Sequence, residues 1–215
     1  ALVAALSPLA RLAERLLALA RADGAQALAE DWVDLAQVVR LTVDEFSQNP
    51  RLRGRRIVGE ASPVHVRGDL DAIGLALRNL VENAVVHAAG GSFIRVTCGA
   101  TRGTASLAVI DDGPGVTPAE LPSLIKRFAR GSGAAESGAG LGLSIVDTLA
   151  RRMGAKLVLT SPPEGHHSGF EARVVWRTAS PATIHARMSA DPASAARRPA
   201  LTALAGLDEI EHLLA

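Results

Sequence analysis

The stretch that decides the fold is VIDDGPGV, residues 109–116. Two β-favouring residues precede Asp111, and Gly113 and Gly115 follow it, which indicates a strand that delivers an acid at its end and then turns sharply. The glycines let this backbone approach a ligand closely, and a buried carboxylate here can accept a hydrogen bond from an exocyclic amine. An ordinary Asp-Gly and Pro-Gly turn explains the same residues, so the stretch has to be interpreted with its neighbours.

Upstream, residues 79–84 read NLVENA in the middle of a predicted helix that starts after the N-cap Asp69 and ends near Ala88. Asn79 and Asn83 are four residues apart, so both amides lie on one helical face. Neutral amide oxygens suit a hard cation, and amide N–H groups suit phosphate. Asparagines on a helix are more often simply solvated, so this pair alone is weak evidence.

Downstream, residues 138–146 read GAGLGLSIV. Gly138, Gly140 and Gly142 free a run of backbone N–H groups just where an apolar helix is predicted to begin, near Leu141. A helix N-terminus with unobstructed amides is an anion site. The spacing differs from the dinucleotide fingerprint, and no lysine follows as in a Walker loop, so any phosphate site here is of another kind.

The remaining pattern predicts an α+β fold, with helices on one face of a sheet. Leucines and alanines at alternating steps of four and three predict a helix–helix seam near the N-terminus, whereas the last part of the chain is rich in Ala, Ser, Pro and Arg, as a flexible segment is. We predict helices over residues 1–22, 35–48 and 141–153, and strands over residues 56–58, 64–66, 93–98, 105–110, 156–160 and 170–176.

Composition excludes several classes of function. The formal charge of +1 gives no field that would favour nucleic acid or an anionic membrane. Cys98 is the single cysteine, so no internal disulfide forms, and its apolar surroundings favour a small core residue over a nucleophile. No stretch of about 18 residues is apolar and free of charge, so no membrane span is predicted.

In this order the three stretches resemble the N, G1 and G2 boxes of the histidine-kinase ATPase domain, and residues 124–130 (LIKRFAR) resemble its F box. The resemblance covers residues 30–177 and implies a two-layer α/β sandwich of the Bergerat, or GHKL, type with helices on one face of a mixed sheet. Residues 1–24 resemble the end of the second helix of a dimerisation and phosphoacceptor domain, which leaves residues 178–215 as a tail.

The resemblance also implies roles for individual residues. Asp111 would bind the adenine amino group, Asn83 would hold Mg²⁺, and residues 116–137 would form a mobile lid with little apolar surface. The catalytic roles would fall to Asn79, Arg127 and Arg130, of which Asn79 would support the phosphates and the arginines would reach the γ-phosphate. The nucleotide-binding set would be Asn79, Asn83, His87, Asp111, Gly113, Gly115, Gly138, Gly140, Leu141, Gly142 and Ser168.

Four positions depart from the family pattern. Val86 stands where many relatives carry a lysine near the phosphates, and His87 stands where an aromatic residue often lines the base. Near the last strand, His167 replaces a glycine and Ser168 replaces a threonine.

The chain has six histidines, and none is followed by the acid, hydrophobic residue, basic residue and proline of the phosphoacceptor signature. The resemblance therefore implies that Mg-ATP is used on a histidine upstream, in a homodimer formed through the N-terminal helix. A response regulator receiver domain would be a further partner, and nucleic acid would not. The domain would be cytoplasmic, in a protein anchored in the bacterial inner membrane.

Three alternatives stay open. ATP hydrolases of the same superfamily place a glutamate base four residues before the metal-binding asparagine, where this chain has Asn79, which cannot abstract a proton. Glu82 points to another face of the helix. Anti-sigma-factor serine kinases share the boxes but lack a long leucine helix in front. A module that docks a partner and binds no nucleotide would not need Asp111 or the glycine run.

Overall fold

A computed structural model of the chain describes residues 28–49, 52, 54–88, 93–101, 103–127 and 140–177. The helix predicted over residues 1–22, the tail from residue 178, Arg130 and Gly138 lie outside the described residues. None of the helices in the described part is both long and apolar enough to cross a bilayer.

Seven strands and three α-helices form within the described residues. A 3-10 turn, Leu121–Ser123, lies between the fifth strand and the last of these helices. In chain order the elements are β1 (Asp31–Asp34), α1 (Leu35–Ser47), β2 (Arg56–Ala61), β3 (His65–Gly68), α2 (Leu70–His87), β4 (Phe93–Thr101), β5 (Thr104–Asp111), α3 (Gly142–Arg152), β6 (Ala155–Thr160) and β7 (Phe170–Arg177).

The main sheet has five strands in the order β2-β4-β5-β7-β6. Strand β2 runs parallel to β4, and the other pairs are antiparallel, so the sheet is mixed. Strands β1 and β3 form a separate antiparallel pair. The predicted α+β fold is confirmed.

The core lies between one face of this sheet and the helices. Alternate residues of the central strands are buried on that face, as period-two patterning requires, and Cys98 is among them at 5% exposed. The apolar stripe predicted for α2 is confirmed, because all five of its members are buried: Ile73, Leu77, Leu80, Val81 and Ala84.

Two aspartates fix the starts of helices. The Asp34 carboxylate accepts a hydrogen bond from the N–H of Ala36 at 2.9 Å and caps α1. Asp69 caps α2 as predicted, since its Oδ1 accepts from the N–H of Ala72 at 2.9 Å. Its Oδ2 accepts from the N–H of Ala29 at 2.9 Å, which ties the chain ahead of β1 to the start of α2. Each cap contributes about 1 kcal/mol.

Sequence patterning missed β1 and ended β2 too early. Strand β1 is only four residues long with an aspartate at each end, and it exists because it pairs with β3. Strand β2 continues through Gly59, which pairs with Val96 of β4 and packs under α1, where a Cβ would lie 3.2 Å from Val43 Cγ2. In both cases pairing with a distant strand overrides weak local propensity.

A matched pair of valines tests which face of the sheet is the core. Val96 is fully buried, and Val158 of β6 is 43% exposed on the opposite face. Val96→Ala is expected to lower the free energy of unfolding by about 2 kcal/mol, because it removes buried methyl groups and leaves a cavity. Val158→Ala is expected to cost less than about 1 kcal/mol. Urea unfolding measures both, and equal losses would contradict the assignment of faces.

Candidate functional site

Asp111 ends β5 on the face that the helices cover, and it is 6% exposed. Its Oδ1 accepts a hydrogen bond from the N–H of Gly113 at 3.0 Å, and Phe170 is its partner residue in β7. Burial raises the pKa of this carboxyl to about 6, and the charge of Asp112 adds to the rise, whereas the backbone groups of Gly113 and Phe170 and the Arg55 guanidinium lower it. The Gly113 N–H therefore holds the carboxylate in place.

Gly113 brings this carboxylate against the end of α2. A Cβ at position 113 would lie 2.7 Å from Ala88 Cα and 2.9 Å from Asp111 Oδ1, so only glycine fits. His87 is the last residue of the same helix, directly before Ala88, and Asn83 lies one turn earlier.

Gly115 brings the next part of the loop against the connection between β6 and β7. Its φ is +72°, and a Cβ there would lie 2.5 Å from Ser161 Oγ and 2.6 Å from the carbonyl oxygen of Gly169. Glycine is required on both counts, conformation and space.

Asn79 lies between α2 and α3, at 6% exposed, and not on an open surface. Its Nδ2 donates to the carbonyl of Leu75 at 2.9 Å, while its Oδ1 is buried without a hydrogen-bond partner. That oxygen faces the start of α3, where a Cβ on Gly142 would lie 3.6 Å away. A buried acceptor left unpaired costs about 1–3 kcal/mol, so this atom suits a donor that arrives with a ligand.

Asn83 lies four residues after Asn79 on α2, and His87 lies four residues after Asn83. Asn83 is half-buried, one turn beyond Asn79. His87 is the last residue of the helix and is exposed, yet the surrounding protein removes enough water to lower the pKa of its imidazole. A neutral ring at this position can stack on an aromatic ligand.

Helix α3 starts without a side-chain cap. Its N-cap residue, Leu141, is fully buried, and the first turn contains no acid. Ser144 turns its hydroxyl back to the Leu141 carbonyl at 2.8 Å, so it does not block the leading amides. Gly140 and Gly142 flank Leu141. Such a start presents N–H groups and a partial positive charge to an anion.

The first half of the predicted lid, residues 116–127, is better packed than its composition suggested. Its apolar side chains are half-buried against the core, and Glu120 accepts hydrogen bonds from the N–H and the hydroxyl of Thr117 at 2.9 and 2.6 Å. The expectation of little ordering apolar surface is therefore wrong for this half, whose packed residues are Val116, Leu121, Leu124 and Ile125.

Two further predicted residues lie at the surface. Arg127 is exposed near the end of the described lid residues, and Ser168 is exposed in the connection between β6 and β7. The structure thus brings Asp111, Gly113 and the end of α2 together, and it sets Asn79 against the start of α3.

Sequence reasoning missed two polar residues of the site. Arg55 donates from Nη1 to the carbonyl of Val85 in the last turn of α2, and Ser161 contacts the loop at Gly115. Nothing local distinguishes either one, because a basic residue or a serine in a turn-rich stretch is usually solvated.

Residues 68–179 match the family described as histidine kinase-, DNA gyrase B- and HSP90-like ATPases. The sensor protein QseC of Escherichia coli is 34% identical over 170 residues, which cover 77% of this chain and 36% of QseC. The chain thus spans about a third of the length of that relative.

Solved structures agree with this match. The mycobacterial sensor histidine kinase MprB superposes with a TM-score of 0.60 at 26% identity, covering 69% of this chain and 97% of that one. Full-length ShkA in complex with AMPPNP gives a TM-score of 0.64 at 28% identity, covering 80% of this chain and 36% of that one. The chain belongs to the histidine kinase-, DNA gyrase B- and HSP90-like ATPase family, and its ATP-binding domain is of the sensor histidine kinase type.

Proposed function

We propose that the chain is the phosphate-donor part of a two-component sensor histidine kinase. It binds Mg-ATP and passes the γ-phosphoryl group to a histidine outside these 215 residues, since none of its own six histidines has the phosphoacceptor context. The observation that carries the proposal is the buried, main-chain-oriented carboxylate of Asp111 at the meeting point of β5 and α2.

Asp111 is suited to select adenine. An ionised carboxylate has about four acceptor positions, so the bond from Gly113 leaves room for an exocyclic amine. A buried acceptor that pairs with such an amine discriminates against a base that lacks the amine, because the acceptor is then left unpaired. His87 at the helix end would stack on the ring, and Ser168 would lie near the same edge.

The α2 asparagines fit a magnesium ion that is shared with the phosphates. In the ranges that the structure describes, no group of three or more His, Cys, Asp or Glu side chains could hold a metal ion. Mg²⁺ commonly takes one or two protein ligands and completes its shell with phosphate oxygens and water. We assign Asn83 as the protein ligand. The unpaired Oδ1 of Asn79 is an acceptor, so it suits a metal-bound water and not a phosphate oxygen.

The start of α3 would hold the phosphates. Its uncapped amides, with Gly140, Leu141 and Gly142, present donors and a partial positive charge. Arg127 would add fixed positive charge on the γ-phosphate side, where it stabilises the transferring group. Arg130 and Gly138 belong to the same proposal by their place in the sequence.

Phosphoryl transfer is favoured over hydrolysis by the chemistry at Asn79. A hydrolase needs a carboxylate at this position to take a proton from water, whereas the amide is neutral and its nitrogen is already bonded to Leu75. The rest of the sensor-kinase arrangement remains part of the proposal. It comprises a homodimer through residues 1–24, a receiver-domain partner and a cytoplasmic location in a membrane-anchored protein.

Asp111→Asn tests the adenine assignment. We expect the affinity for ADP with Mg²⁺ to fall by at least about tenfold, because a charge-assisted hydrogen bond is lost. Isothermal titration calorimetry measures it, and Asp112→Asn is the matched control, since that neighbouring residue is exposed. The control should bind ADP nearly as the parent does.

Two results would count against the proposal. Absence of ADP binding by the parent chain would exclude nucleotide use. Steady ATP hydrolysis by the 215-residue chain alone would favour a hydrolase over a histidine kinase.

The raised pKa of Asp111 predicts a pH-dependent cost to stability. The pKa of about 6 lies above the ordinary value of 3.8, so the folded state favours the protonated acid, and the cost of ionisation appears as pH rises from about 4 to 6. Relative to the parent, Asp111→Asn should therefore gain about 1–3 kcal/mol of unfolding free energy between pH 4 and pH 7. Urea unfolding across this range measures the difference. A difference that does not change with pH would contradict the burial argument.

Asn83→Ala tests the magnesium assignment. Without metal, in EDTA, the variant should bind ADP about as well as the parent does. With Mg²⁺ the parent should gain affinity and the variant should not, a gap of roughly tenfold, because a ligand to the cation is missing. An equal gain in both proteins, measured by calorimetry, would exclude Asn83 as the ligand.

A further inference from the structure

Ser161, the first residue after β6, joins two separate backbone segments through its hydroxyl. Its Oγ–H donates to the carbonyl oxygen of Gly169 at 2.8 Å, and its Oγ accepts a hydrogen bond from the N–H of Val116 at 2.9 Å. Ser161 is half-buried, so both bonds form partly away from water. One hydroxyl therefore links the loop after Gly115 to the start of β7.

The peptide group that Ser161 holds by its oxygen is the one that lies against Asp111. The carbonyl of Gly169 and the N–H of Phe170 belong to the same trans peptide, and Phe170 is the β7 residue that pairs with Asp111 of β5. In a planar trans peptide the two groups point in opposite directions. Fixing the oxygen therefore fixes the peptide group that lies against Asp111 at the end of the β5–β7 pair.

The surrounding backbone is too close to adjust easily. Gly169 has a φ of +106°, and a Cβ there would collide with the carbonyl oxygen of Asp111. A Cβ on Gly115 would lie 2.5 Å from Ser161 Oγ. The loop at Gly115 and the chain at Gly169 both lie within contact distance of the Ser161 hydroxyl, so this small polar group ties them together. Removing it leaves the Gly169 carbonyl and the Val116 N–H without this partner.

We propose that Ser161 is a positioning residue for adenine selection, acting on Asp111 through the Gly169–Phe170 peptide. The inference rests on the proposed function, in which Asp111 receives the adenine amine. The contacts run from Val116 through the Ser161 hydroxyl to the Gly169 carbonyl, and the peptide that carries this carbonyl is paired with Asp111.

The test compares ADP with IDP, which carries a carbonyl oxygen in place of the adenine amine. Calorimetry on the 215-residue chain at one pH gives the ratio of the two affinities. Ser161→Ala is expected to lower the preference for ADP over IDP by roughly tenfold, since the carboxylate loses its fixed orientation. A purely structural loss would weaken both nucleotides equally and leave the ratio unchanged.

Ser161→Thr is the conservative variant, and it should keep the ratio of the parent because it keeps the hydroxyl. If Ser161→Ala does not fold, Ser161→Cys replaces it, because a thiol is a weak donor and should also lower the ratio. In the Asp111→Asn background, Ser161→Ala should leave the ratio unchanged, because the residue through which it acts is gone.

The outcomes separate the inference from the proposed function. A parent that binds neither nucleotide overturns both. A parent that prefers ADP, together with an unchanged ratio in Ser161→Ala, overturns only the role of Ser161. A ratio in Ser161→Thr as low as in Ser161→Ala also overturns it, because the hydroxyl would then not be what sets the preference.

Discussion

The burial of the Asp111 carboxylate is the constraint on which the rest of the site depends. Taking an ionised group out of water is costly unless the protein supplies hydrogen bonds, and here the main-chain N–H of Gly113 donates one. Such a donor reaches the carboxylate only where backbone passes close to backbone. The glycines at 113 and 169 follow from that need, because a Cβ at either position would overlap its neighbours.

Helix α2 serves the core and the site at once. Its apolar stripe packs on the sheet, which fixes the direction of the helix, and its C-terminal end then lies against the loop that follows Asp111. Asn79 breaks the apolar interface with α3 and leaves a buried oxygen without a partner. Packing gains nothing from that oxygen, so its presence is better explained by a ligand than by stability.

Much of this architecture could be predicted from the sequence, because local patterns determine it. The alternation in β4 and β5 and the stripe of α2 identified most elements, and the glycine-bearing stretches marked where backbone must pass closely. Strand β1, Arg55 and Ser161 could not be predicted, since each is defined by a partner distant in the sequence. The packing of residues 116–127 was missed for the same reason. The few apolar residues of this segment pack against core residues that are distant in the sequence, and composition alone does not show that contact.

The glycines near the site divide into two physical groups. Gly113, Gly115 and Gly169 are required by the protein itself, because a Cβ at any of them would overlap neighbouring atoms. Gly142 is different: a Cβ there would lie 3.6 Å from Asn79 Oδ1, which is ordinary contact, and its backbone is not left-handed. The fold would accept alanine at that position, because neither space nor backbone conformation requires glycine there. A residue that the fold does not require, at an uncapped helix start, is best explained by the space that an anion needs to approach the amides.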